Sequence, residues 1–192
     1  MTRALIKLWN FLAAGGNGIF FRLRNLEGRV AIKGRLRLNV PLRCEGTGRV
    51  TLGPDVTIGY GLAAMLGDGA VRIKARGRAA SIVVGEGTSF SNNVQVYAED
   101  SVTIGARCLI GDAVLIYDSD FHDLSPDDRR HGVAAKAPVV LEDNVFVGSR
   151  AIILKGVTIG KDSVIGAGSV VVRSIPPGVI AAGNPAKVIR TL

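Results

Sequence analysis

The sequence predicts an all-β chain wound as a triangular solenoid, and three observations carry that prediction. An aliphatic residue returns at every sixth position from Leu141 onward, at Val147, Ile153, Ile159, Ile165 and Val171. Four residues after each stands another apolar or small residue: Val145, Ala151, Val157, Ser163, Ser169 and Ile175. The residue directly after the aliphatic one is repeatedly glycine, as at Gly148, Gly160 and Gly166 and earlier at Gly53, Gly59, Gly85, Gly105 and Gly111. A period of six suits neither an amphipathic helix nor a long alternating strand, but it suits a short flat strand followed by a corner. Glycine accepts a corner that bulkier residues resist. Three such sides close a coil, so Leu141 should stack under Ile159, Ile153 under Val171 and Val147 under Ile165, with coils about 4.8 Å apart.

Taken in order, residues 1–27 read as an amphipathic or end-capping segment and residues 28–192 as the β-helix. Trp9, Phe11, Phe20 and Phe21 are interleaved with Arg3, Lys7, Arg22 and Arg24. That mixture suits peripheral contact with an anionic membrane through residues 1–24, and equally suits a cap over the open end of the coil. GRVAIKGRLRLNV (residues 28–40) alternates apolar and basic residues, the pattern of a half-buried strand with a basic outer face. Residues 63–83 look like irregular first coils, although Val71, Ile73 and Ala75 alternate with Arg72, Lys74 and Arg76. Val84, Phe90 and Val96 hold the period, and Ile104, Ile110 and Ile116 resume it. The period then stops until Leu141. The interval at about 117–138 is polar, charged and broken by Pro126 and Pro138, an excursion of the kind that carries function or stays disordered.

Composition narrows the function classes. With 192 residues, 47% of them apolar, wholesale disorder is excluded. The 25 glycines lack the every-third-residue spacing of collagen, and no apolar run approaches the roughly 20 residues of a membrane span. Cys44 and Cys108 form no paired motif, which suits a reducing, cytoplasmic setting, and the N-terminal apolar stretch lacks a clean signal-cleavage site. The net charge of +8 lies wholly within residues 1–50, which hold ten Lys/Arg against two Asp/Glu. No groove-reading motif accompanies those cations, so nucleic acid is not expected as a partner.

Residues 84–192 resemble the hexapeptide-repeat acyltransferases. VFVGSRAIILKGVTIGKDSVIGAGSVVVRSIPPGVIAAGNPAKVIR is similar to the final coils and tail of maltose, galactoside and xenobiotic acetyltransferases. IYDSDFHDL followed by DDRR is most similar to enzymes that acetylate sugars of bacterial surface polysaccharides such as capsule, O-antigen or exopolysaccharide. The resemblance implies a left-handed β-helix, acetyl-CoA as co-substrate, a homotrimer, a sugar or glycan precursor as acceptor, and a site formed between subunits. A right-handed crossover would be the ordinary expectation for parallel strands, so handedness comes from the resemblance alone.

The same resemblance places His122 as the general base, a role for which a neutral imidazole is suited because its ordinary pKa lies near working pH. Asp118 and Asp120 flank it, and either carboxylate could orient it, with Asp120 preferred; Asp118 would contact the acceptor, as would Asn92 or Asn93 in FSNNV. Gly148, Ser149 and Ala167 match positions along the pantetheine arm of CoA, with Arg173, Lys187 and Arg190 near its phosphates. Phe146 and Val172 depart from the Trp and Thr common in relatives, which removes one hydroxyl contact to CoA. His131 reads as a solvated loop residue and Cys108 as a small core residue, so no nucleophilic cysteine is needed. Acetylation of an amino sugar and a non-catalytic scaffold are the alternatives. A metal enzyme on the same solenoid would need three histidine ligands, and the chain has two histidines, so no metal is expected.

Overall fold

A computed structural model of the chain describes residues 29–63 and 66–192. The segment 1–27, with its proposed membrane or capping role, lies outside the described residues.

The described chain winds through three faces, A, B and C, once per coil. The first coil is β1 (Val30–Ile32), β2 (Leu36–Leu38) and β3 (Leu42–Gly46), and the second is β4 (Arg49–Leu52), β5 (Val56–Ile58) and β6 (Val71–Ala75). The third is β7 (Ser81–Val84), β8 (Ser89–Phe90) and β9 (Gln95–Ala98), and the fourth is β10 (Ser101–Ile104), β11 (Leu109–Ile110) and β12 (Leu115–Tyr117). The fifth is β13 (Val139–Leu141), β14 (Phe146–Val147) and β15 (Ile152–Ile153), and the sixth is β16 (Thr158–Ile159), β17 (Val164–Ile165) and β18 (Val170–Val171). Each strand pairs in parallel with its counterpart one coil on. Ile175 bridges Ile159 on face A, β19 (Val179–Gly183) pairs with β17, and β20 (Ala186–Thr191) folds back antiparallel on β19.

The stacking matches the six-residue reading: Leu141 pairs with Ile159, Val147 with Ile165 and Ile153 with Val171. All six are fully enclosed. Their partners four residues on, Val145 through Ile175, are buried too, and so is Cys108. Burial raises the Cys108 thiol pKa and pushes that of Cys44 up to about 12, which disfavours the thiolate at both positions.

Two early expectations are corrected. GRVAIKGRLRLNV is not one strand but β1 and β2 on adjacent faces, turned at Gly34 with φ of 115°. The three-residue corner, Lys33 to Arg35, preserves the parity of the apolar alternation, so a bend looked like continuity. Residues 71–75 are not irregular; Val71, Ile73 and Ala75 are fully buried in β6, and the irregularity is the loop between β5 and β6.

Glycine serves the corners by close approach as well as by φ. A Cβ on Gly111 would lie 2.6 Å from the Ser149 nitrogen, and one on Gly148 would lie 2.6 Å from the Ala167 nitrogen. The left-handed backbone stands two residues later, at Ala113 (53°), Arg150 (61°) and Gly168 (70°), with Asn93 (63°) in the same place in the third coil.

Candidate active site

Two edges of the prism hold the residues singled out in the sequence. At the edge between faces B and C, each strand of face B ends in a corner, and the corners line up along the prism. A cleft of 630 Å³ runs there, lined by Ala63, Ser91, Asp112, Ser149, Arg150, Ala167 and Gly168. Ser149 and Ala167 are the two positions matched to the CoA arm, and they stand in equivalent places of consecutive coils because Val147 and Ile165 pair. Gly148 does not line the cleft. It is buried under the next coil, where only a missing side chain lets Ala167 approach.

Asn92 and Asn93, expected to meet the acceptor, sit near the same edge but are engaged. Asn92 is fully buried; its Oδ1 accepts from the Tyr60 amide at 2.9 Å, and its Nδ2 donates to the carbonyls of Tyr60 and Ala63. Asn93 accepts from the Leu66 amide and donates to Asp112 Oδ1 at 2.8 Å. Within this chain both residues therefore fasten the loop between β5 and β6, and Asn92 is the one that points inward.

The edge between faces C and A carries the excursion, residues 118–138 between β12 and β13. Its base is tied to the prism. Ser119 bridges Lys136 in antiparallel fashion, the Asp120 amide donates to the Ala135 carbonyl, and the Ala137 amide donates to the Asp118 carbonyl. Asp118 is fully buried and accepts from the amides of Glu99 and Asp100, both at 2.8 Å. Burial is the largest influence on its carboxyl and raises its pKa, with Asp100 and Glu99 adding to the rise and the two amide bonds opposing it. The expectation that Asp118 contacts an acceptor is corrected: its oxygens hold the third coil to the fourth and do not reach the surface.

Phe121 follows with φ of 60°, a strained value for an aromatic residue. Its ring packs edge-on against Tyr117 at 5.4 Å and Tyr97 at 6.4 Å, and the Arg76 guanidinium lies over it at 5.6 Å. That clamp fixes where the chain turns outward. His122 is therefore delivered at the surface, exposed and with no hydrogen bond among the described residues. His131 is exposed farther along. Asp120, two residues before His122, pairs through Oδ1 with Lys155 Nζ at 2.7 Å, while its Oδ2 is buried and without a hydrogen-bond partner. A buried carboxylate oxygen left open is an acceptor in want of a donor.

The three cations divide between the edges. Lys187 and Arg190 lie on β20 opposite Ala182 and Ile180, at the far end of face B. Arg173 follows β18 and sits at the edge between C and A, on the side of His122. All three are exposed. Asp112 and Arg150, which also line the cleft, were missed in the sequence. The repeat itself holds the signal: Asn92, Asp112, Ser149 and Ala167 stand two residues after Phe90, Ile110, Val147 and Ile165, one column seen from four coils.

Comparison with known proteins gives this architecture relatives. A model described as the hexapeptide repeat of succinyl-transferase matches residues 138–173. The chain is similar to hexapeptide-repeat acetyltransferases. It is 38% identical over 112 residues to a galactoside O-acetyltransferase of Escherichia coli, covering 58% of this chain and 55% of the relative. It thus spans about half the length of the curated relatives it matches. Among solved structures, a galactoside acetyltransferase in complex with coenzyme A superposes with a TM-score of 0.59 at 27% identity, over 100% of this chain and 84% of that one. A hexapeptide-repeat acetyltransferase of Vibrio cholerae, complexed with acetyl coenzyme A, gives 0.54 at 28% identity over 79% and 70%. The prism is a left-handed parallel β-helix.

Proposed function

We propose that the chain is an acetyl-CoA-dependent O-acetyltransferase that modifies a hydroxyl of a sugar in bacterial surface-polysaccharide synthesis. The observation that carries the reading is the division of the site: the cleft with Ser149 and Ala167 runs along one edge, and the exposed His122 leaves from another. One face of the prism separates them. A copy that brings its edge between C and A against a neighbour's edge between B and C unites the two, and threefold closure repeats the contact in a homotrimer. Relatives solved with CoA support the cofactor assignment.

In the reaction, one ring nitrogen of His122 accepts the hydroxyl proton as the sugar oxygen attacks the thioester carbonyl carbon. The carbon–oxygen bond forms, the carbon–sulfur bond breaks, and the proton passes from the imidazolium to the departing CoA thiolate. The products are the acetyl ester and free CoA. Asp120, through its open Oδ2, is the group suited to receive the other ring N–H and to steady the imidazolium. Lys187 and Arg190, exposed on β20, are cations of the kind that pair with the CoA phosphates.

The test is thiol release from acetyl-CoA across nucleotide sugars, free sugars and polysaccharide fragments, with product mass and linkage read by mass spectrometry. An acetyl group on a sugar oxygen is the expected product. Acetylation of an amine would replace the O-acetyltransferase reading, and absence of CoA binding would replace it with a scaffold.

A further inference from the structure

The charge of the described chain is divided along the prism axis. Residues 29–80, the first two coils, hold ten Lys/Arg against three Asp/Glu, whereas residues 81–192 hold ten against twelve. Within the first two coils, three of the cations are matched: Arg43 with Asp68, Lys74 with Glu45 and Arg76 with Glu99. Lys33, Arg35, Arg37, Arg49, Arg72 and Arg78 form no ion pair among the described residues, and all but the half-buried Arg72 are exposed.

Their placement is a ring, not a track. Arg49 opens β4 on face A, Arg37 lies in β2 on face B, Arg72 lies in β6 on face C, and Lys33, Arg35 and Arg78 occupy corners. A linear polyanion is served by cations along one groove; a broad anionic plane is served by cations around one end. Arg49 and Arg78, with Arg29, also border a recess of 340 Å³ floored by Thr47 and Thr51, which has the size and chemistry for a phosphate headgroup. The same coils present apolar side chains that lie exposed among the described residues. Tyr60, Leu62 and Leu66 are 59%, 85% and 72% exposed, on the loop that Asn92 and Asn93 hold in place.

We propose that the end of the prism formed by the first two coils docks on an anionic lipid bilayer, its ring of cations meeting headgroup phosphates and Tyr60, Leu62 and Leu66 entering the interfacial layer. Cations near such a surface and apolar side chains beside them are the two contributions that together hold a peripheral protein. The cleft begins at this end, with Ala63 and Ser91, so docking sets the mouth of the site beside the membrane.

Flotation of the full chain with vesicles tests this independently of any catalytic reading. The chain should float with vesicles containing about one-third phosphatidylglycerol, remain behind with phosphatidylcholine alone, and be released as salt rises. The variant Arg35→Glu/Arg37→Glu/Arg78→Glu should partition about 100-fold more weakly at unchanged melting temperature. Should it misfold, Arg35→Gln/Arg37→Gln/Arg78→Gln should still lose about 30-fold. Leu62→Ser/Leu66→Ser should weaken partitioning about tenfold without altering its salt dependence. Arg129→Glu/Arg130→Glu, on the excursion, should bind as wild type. Equal flotation of wild type and the folded triple variants, flotation with neutral vesicles, failure of the wild type to float, or its displacement into solution by a soluble acidic polysaccharide would each overturn the proposal.

Discussion

The edge between faces B and C and the edge between faces C and A are built from opposite materials. The first is made by what is missing: Gly111 and Gly148 let successive coils close to within reach of the next backbone, and small residues at Ser149 and Ala167 leave a cleft along the corner. The second is made by what is added, an excursion whose buried Asp118, clamped Phe121 and paired Asp120 all serve to place one exposed imidazole. A groove needs repetition and can be written into every coil; a proton carrier, the role proposed for His122, needs a single departure from the repeat. The first edge should therefore break when atoms are inserted and the second when they are removed.

The largest effect belongs to the second edge. His122→Ala should lower turnover by about 100-fold or more with CoA binding and melting unchanged, as steady-state kinetics and calorimetry would report. Near-wild-type turnover would take His122 out of the chemistry. On the first edge, Gly111→Ala adds a methyl group 2.6 Å from the Ser149 nitrogen and should destabilise the fold by about 3 kcal/mol, read from denaturant unfolding.

Asp118→Ala should remove about 2 kcal/mol by stranding the amides of Glu99 and Asp100. Its pH signature runs in a defined direction. Because burial raises the Asp118 pKa, the folded state holds the proton more tightly than the unfolded chain, and wild type should lose stability relative to Asp118→Asn as pH rises from about 4. Melting of both proteins across that range checks the sign. Ala167→Leu narrows the cleft from an exposed position and should raise the KM for acetyl-CoA about tenfold with little change in kcat. The smallest effect is expected from Lys155→Met. It removes a partly exposed pair and should shift stability by about 1 kcal/mol or less, while altering the pH profile of turnover if Asp120 steadies His122.

How much of this was legible in the sequence follows the same division. The core columns were readable because burial in a solenoid repeats with the chain, so Leu141 over Ile159 needed no knowledge of handedness or neighbours. The bend inside residues 28–40 was hidden because a three-residue corner conserves alternation. Asp118 was misread for a related reason: its side chain reaches back to the coil before it, and nothing in YDSDFH distinguishes an aspartate aimed inward from one aimed at solvent. Asn92 and Asn93 could be placed near the cleft, but the loop they fasten has no repeat to align it. Asp112 was recoverable in principle, since it stands in the column of Ser149 and Ala167.

One feature of the C-terminus bears on assembly of a different kind. Parallel coils present, at their last turn, rows of amides and carbonyls with no partner, and a strand from another molecule can add to them without limit. On face B, β20 reverses direction and fills that row, with exposed Lys187 and Arg190 on its outer strand. A molecule lacking β20 would offer β19 as a growing tip, and end-to-end fibres would compete with soluble protein.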